Sequence, residues 1–211
     1  MKVILIGSGG HAGVLRELLK AKNVEPIAIL DNAPIKFGEK FFGIKIFNEA
    51  DYSLFEPSEF ILVNGIGSID VNKDRKHLYT QFKNVGYQFM TLVHHMSFVG
   101  NRVELMEGVQ ILAGTIIQND VVIGENSLVN TGAIIDHNVK IGSHVHVAPG
   151  VTLSGNVTVG DGSHIGVGAI VIQGVKIGSN VLVAAGSVVI EDVGDNSRVA
   201  GIPAIEFNQR S

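Results

Sequence analysis

The chain has 211 residues, 45% of them hydrophobic and 17% charged, with a formal net charge of −4. That length allows one large domain or two small ones, and the low charged fraction points to much buried backbone and few exposed helices. No basic block supports nucleic-acid binding, and the absence of cysteine excludes disulfides, thiolate metal sites and Cys nucleophiles. No apolar run reaches the ~18 residues of a membrane span. The apolar start Met1–Ile6 stops at Gly7, too short for the core of a signal peptide. The expected setting is the cytoplasm, with no membrane partner.

In chain order, Lys2–Ile6 reads as a short apolar strand. Gly7-Ser8-Gly9-Gly10-His11-Ala12-Gly13 follows, then Val14, Leu15, Leu18 and Leu19 at helical spacing. Ile27–Leu30 is a second strand that ends in Asp31-Asn32. Strand, glycine-rich turn, helix, strand and acid form the first unit of a Rossmann-like domain. The turn and the helix N-terminus present backbone N–H groups to an anion, normally a phosphate. Phe60–Val63 supplies a third strand, 72–85 a helix, and Tyr87–Met90 a fourth strand. A dinucleotide fold needs two such halves, and only about 90 residues are available. The domain is therefore a mononucleotide half, better suited to UDP or GDP than to NAD.

Composition shifts near Tyr87–Leu92, where Leu, Lys and Phe give way to Val, Ile and Gly. From Val93 every sixth residue is aliphatic: Val99, Leu105, Ile111, Ile117 and onward without a gap to Val189. Four residues after each anchor stands a small or β-branched residue, such as Thr115, Ser127, Ala133 or Val157. One after the anchor is often glycine, as at Gly124, Gly142 and Gly160, which tolerates a turn or a close backbone approach. A helix repeats at 3.6 residues and a strand at 2. A period of six is a short strand plus a corner, and stacked corners make a parallel β-helix. The expected domains are 1–90, a β-helix over 91–192, and a tail over 193–211.

Four histidines fall in the middle of the repeat: His137, His144, His146 and His164. His146 and His164 are eighteen residues apart, so three hexads per coil stack them about one strand spacing apart. His137 is nine residues from His146, half a coil away, so the two do not meet within one chain. His144 reads as a solvated surface residue. A histidine near neutral pH suits proton removal from an attacking amine or hydroxyl, and His137 is the best candidate.

The hexads resemble those of the hexapeptide-repeat transferases, which wind as a left-handed prism with three hexads per coil. The hand comes from that resemblance, because it breaks the usual right-handed crossover rule. Between five and six coils follow from the repeat. Val199-Ala200-Gly201-Ile202-Pro203-Ala204 is similar to the family's closing loop beside CoA. Asn130-Thr131-Gly132-Ala133-Ile134-Ile135-Asp136-His137-Asn138, then His146, Ala148-Pro149-Gly150 and Ser154-Gly155-Asn156, resemble the bacillosamine-pathway nucleotide-sugar N-acetyltransferases and their sialic acid O-acetyltransferase relatives.

The resemblance implies acetyl-CoA as co-substrate, no metal, a homotrimer with active sites between chains, and a nucleotide-linked amino sugar as acceptor; the alternatives are O-acetylation of a sialic acid-type acceptor and a non-catalytic β-helix scaffold. It assigns His137 as general base, His146 to the thioester, the Gly155 amide to the acetyl oxygen, Val167 and Ala185 to the CoA channel, and Asn130 to the acceptor. In the first domain it places Gly9, Gly10 and His11 on the phosphates and Asp31 and Asn32 on base or ribose, with Gly67 in the neighbouring turn. One position departs: the residue after the base is usually acidic in the group and here is Asn138. Either Asp136 takes over or the base is weaker.

Overall fold

The computed structural model describes residues 2–33, 39–68, 71 and 73–207. The expected helix start at Asn72 and the last four residues of the tail lie outside them. The chain divides into two compact units. The first comprises residues up to Gly67 with His77–Met90, and the second comprises Ser68–Lys76 with Thr91 onward.

The first unit is built on strands β1 (Lys2–Ile6), β2 (Ala28–Asp31), β3 (Lys40–Phe41), β4 (Ile44–Asn48), β5 (Phe60–Asn64) and β6 (Gln88–Phe89). Their order is β3-β4-β2-β1-β5-β6. All neighbours are parallel except the β3–β4 hairpin. Central β1 is buried at Val3–Ile6 because helices must cover both faces of a parallel sheet. Helix α1 (Gly10–Ala21) contributes Ala12, Leu15, Leu18 and Leu19 to the interior. Helix α2 (Lys73–Asn84) contributes Leu78, Tyr79 and Phe82.

The β3–β4 pair was not among the expected strands. Two-residue β3 is too short to show a period, and Phe42 turns the hairpin at φ +50°. The chain passes from β1 to β2 and β4 on one side, then returns to β5 on the other. The reversal puts a topological switch point between β1 and β5, where open α/β sheets bind ligands beyond the strand C-termini.

The second unit is a triangular prism of three sheets made from parallel two-residue strands, one sheet ending in the three-residue Arg198–Ala200 and the antiparallel Ile205–Glu206. The second residue of each strand is the aliphatic anchor, as in Gln110–Ile111, Ile116–Ile117 and Val122–Ile123. Adjacent coils pair at an offset of eighteen residues, for example Ile111↔Val129↔Val147↔Ile165↔Val183. Anchors from Ile111 to Val189 are buried and form one core with the small residues between them. The buried Ser127 and Ser163 hydroxyls donate to the carbonyls of Gly142 and Gly178, at 2.8 and 2.7 Å. The prism is left-handed. Its last coil is closed by Arg198–Ala200 against Leu182–Val183, with Ala204 N–H donating to the Val188 carbonyl.

Glycine one after the anchor marks close approach. A Cβ on Gly160 would sit 2.6 Å from the Gly178 carbonyl carbon. The turn conformation lies elsewhere, three residues after each anchor. Every sixth residue from Arg102 to Gly186 has positive φ. Gly, Asn and Asp dominate there because they pay least for the left-handed region.

His144 is one of these residues, at φ +60°. It is half-buried rather than solvated, and its Nδ1 meets the Asn126 amide at 3.1 Å. Asn126 in turn accepts from Arg75 Nε through its carbonyl. Burial first, and the nearby Lys76 and Arg75 charges, push the His144 imidazolium below its usual range, against pulls from Asp161 and Glu125. The fold thus favours neutral His144. Its contribution is complete above the ordinary imidazole range and is lost as pH falls through it, where the unfolded chain binds more protons. Melting temperatures between pH 7.5 and 5.5 should therefore fall less in His144→Asn than in the parent. Asn suits this backbone, and an equal fall in both proteins would remove His144 as the cause.

Candidate functional site

The candidate site residues fall into two sets, one in each unit. In the first unit, Gly7 and Gly65 serve packing. A Cβ on Gly65 would lie 2.5 Å from the Ile6 carbonyl oxygen, and one on Gly7, at φ +85°, would lie 2.9 Å from Ile66. Gly9 and Gly10 differ: both are exposed, and a Cβ on either meets nothing within 4 Å. Their lack of side chains leaves space outside the turn. α1 begins there without a side-chain cap or an acidic residue in its first turn. The leading N–H groups of a helix point outward from its N-terminal end, the geometry that suits an anion.

Gly67 lies across the switch point, 3.3 Å from His11 Cβ measured from an added Cβ. Buried Asp31 ties the turn to β2. Its Oδ2 accepts from the Ser8 N–H at 2.8 Å and the Ser8 hydroxyl at 2.5 Å, and its Oδ1 accepts from Ala33 N–H at 2.8 Å. Asn32 beside it is exposed. Glu49, just past β4, is held above the usual carboxylate range, first by partial burial and also by the Asp31 charge, against a Gln81 hydrogen bond. No sequence motif marks that residue.

In the second unit, a cavity of about 450 Å³ opens on one prism face. It brings together Asn130, His146, Val167 and Ala185, and adds Ser68 and His164. His146 and His164 occupy paired positions on adjacent strands, with rings edge to face at 4.7 Å. The Asn130 amide donates to His146 Nε2 at 3.2 Å. Ser68 Oγ is 3.5 Å from His164 Nδ1. His164 belonged to none of the expected roles, although its eighteen-residue offset from His146 was the available signal. Among the described residues, no group of three His, Asp or Glu side chains converges.

His137, Asp136, Asn138 and Gly155 lie together at a corner outside this cavity. His137 is exposed, and its Nδ1 faces Asn138 Oδ1 at 2.9 Å. An amide oxygen only accepts, so Nδ1 is the donor in this contact, and in the neutral ring that leaves the lone pair on Nε2. Asp136 does not meet the ring: its Oδ1 accepts from the His137 backbone N–H at 2.8 Å. Asn138 has φ +59°, so the backbone favours Asn at the position that orients the imidazole. Gly155 is one coil above. A Cβ there would fall 2.6 Å from His137 Cε1 and 2.7 Å from Nε2. The reactive edge of the ring thus rests on the Gly155 backbone.

Residues 120–155 match the model of the bacterial transferase hexapeptide family (six repeats), and residues 2–82 match the PglD N-terminal domain. No curated protein sequence matches the chain. Among solved structures, a variant of perosamine N-acetyltransferase from Caulobacter crescentus, in complex with CoA and GDP-perosamine, is 33% identical. That match covers 99% of this chain and 98% of that one, with a TM-score of 0.91. The acetyltransferase domain of PglB from Neisseria gonorrhoeae is 29% identical over 98% of this chain and 99% of that one, with a TM-score of 0.88. WeeI from Acinetobacter baumannii, at 22% identity over 98% of this chain and all of that one, shares the fold at a TM-score of 0.89.

A mononucleotide unit joined to a hexapeptide prism defines a class of acyl-transfer enzyme. The chain belongs to the hexapeptide-repeat acetyltransferases, in the group of bacillosamine-pathway nucleotide-sugar N-acetyltransferases.

Proposed function

We propose that this protein transfers the acetyl group of acetyl-CoA to the amine of a UDP- or GDP-linked amino sugar. The observation that carries the reading is the likeness, over nearly the whole chain, to an enzyme holding CoA and GDP-perosamine. The open turn at Gly9-Gly10 supports the nucleotide half of the acceptor, its N–H groups receiving the phosphates. Val167 and Ala185 line the cavity that takes the CoA arm, and His146 lies beside the thioester.

The amine attacks the thioester carbonyl, and His137 Nε2 takes the amine proton. The Gly155 N–H donates to the oxygen as it becomes an oxyanion. Collapse of the tetrahedral intermediate breaks the C–S bond, forms the amide and expels CoA, whose sulfur receives the proton.

His137 and the cavity are half a coil apart within one chain, so the complete site is assembled between copies. Outward residues Phe98, Ile116 and Ile134 are paired up one prism face, with Ile170 above them beyond Thr152, each of the four between 38% and 56% exposed. Such an apolar stripe supports a homotrimer. The setting is the cytoplasm, where the product feeds bacterial glycan assembly. Among the described residues no helix is long and apolar enough to cross a membrane.

Thiol release from acetyl-CoA tests the reading, run over UDP- and GDP-amino sugars, sialic acids and no acceptor. Release should occur with a nucleotide-linked amino sugar. Release confined to sialic acids, or to none of the acceptors, overturns it.

A further inference from the structure

Asn138 orients the His137 ring but brings no charge to it. A carboxylate does stand nearby, one coil below. The eighteen-residue register of this corner is set by Glu104↔Val122↔Lys140. It places Asn119 under His137, and Asp120 under Asn138. Asn138 N–H donates to the Asn119 carbonyl at 3.2 Å, and Asp120 N–H to the Asn101 carbonyl at 3.2 Å. Arg102, Asp120 and Asn138 share the left-handed backbone, at φ +56°, +61° and +59°, so they form one column.

Within that column the Asp120 carboxylate is fixed. Arg102 Nε and Nη2 donate to its two oxygens at 2.5 and 2.7 Å, and Asn119 Nδ2 donates to Oδ2 at 2.5 Å. The Arg102 fork foremost, then the Asn119 amide and, more weakly, the Arg102 and His137 charges hold the Asp120 carboxyl down at about 2. Asp120 is therefore ionised wherever a histidine can act as base. Charged residues at this corner include Asp136 on the ring's own turn and Asp120 with Arg102 below. Among the described residues, no titratable residue stands above, where Gly155 and Asn156 lie. Arg102 belongs to the coil beneath Asp120, and its side chain is 71% exposed against 28% for Asp120. Water screens the cation more than the anion.

We propose that Asp120, clamped by Arg102, is a positioning residue that supplies the His137 ring with the negative charge Asn138 lacks. This rests on the reading of His137 as the base. A neighbouring anion favours the imidazolium that forms as the amine proton is taken.

The test uses two variants that break the same ion pair with opposite electrostatic sense. Asp120→Asn removes the anion, so the His137 ring signal, followed by NMR in the full-length protein, should titrate at lower pH than in the parent. Arg102→Gln leaves the anion without its neutralising partner, so the signal should titrate at higher pH. kcat/KM near neutral pH should fall about two- to fivefold in Asp120→Asn, the size expected for an exposed charge pair, with KM unchanged. Asp120→Glu should restore both readouts.

A purely structural ion pair would give equal losses of stability and no opposed titration. Shifts in the same direction, or none in Asp120→Asn, overturn the proposal. His137→Ala in the same assay separates the two readings. If it retains full turnover, the base reading falls, while the ring titration still decides whether Asp120 sets the charge at His137.

Discussion

His137→Ala should lower acetyl transfer at neutral pH by about 10² or more, with KM for acetyl-CoA nearly unchanged. General base catalysis is typically worth about 10²–10⁴, and among the described residues at this corner the Asp120 carboxylate is already held by Arg102 and Asn119. Asp136 is engaged with backbone, and Asn138 is neutral. The deficit should narrow as pH rises, because an amine that is already neutral needs less help to attack. His137 is exposed, so its removal should leave the melting temperature almost unchanged. Steady-state rates from pH 6.5 to 9.5 check this, and unchanged turnover at pH 7 would remove His137 from the role.

Gly155→Ala should be nearly as damaging, for a different reason. The new Cβ would occupy space 2.6–2.7 Å from the imidazole edge. The neighbour is an exposed side chain and can swing away, so the fold absorbs the methyl cheaply. The cost is a ring turned off Asn138, and a 1 Å misplacement can reduce a rate by about 10². The expected result is a fall in kcat of about 10–100-fold with a melting temperature within a few degrees of the parent. A large loss of stability, or full activity, would count against this use of Gly155. Combined with His137→Ala, the glycine substitution should cost little further, since both act through the same imidazole.

The repeat was legible because every anchor answers to one physical demand, an aliphatic side chain inside a three-sided prism. The left-handed positions, three residues after each anchor, were not picked out in the sequence, because a histidine and an arginine stand among the Gly, Asn and Asp there. That position explains Asn138, the departure that made the base look weakened. It also explains His144, whose backbone and partner Asn126 put it half inside the prism. The segment 68–76 was not legible as part of the second unit. Arg75 stands in the charged run Lys73-Asp74-Arg75-Lys76, yet it is fully buried and burial drives its guanidinium down to about 9.

The amino-acid sequence by itself determined the period, the three hexads per coil with the resemblance, the glycine turn, and the half-coil separation of His137 from His146. These follow from local chemistry repeated at fixed spacing. Only the tertiary structure decided which neighbour touches the imidazole. Asp136 and Asn138 flank it equally in sequence, but the left-handed turn aims one at the ring and the other at the backbone. Likewise Arg102, Asp120 and Gly155 reach this corner from other coils. Stacking at about one strand spacing turns residues eighteen apart into neighbours.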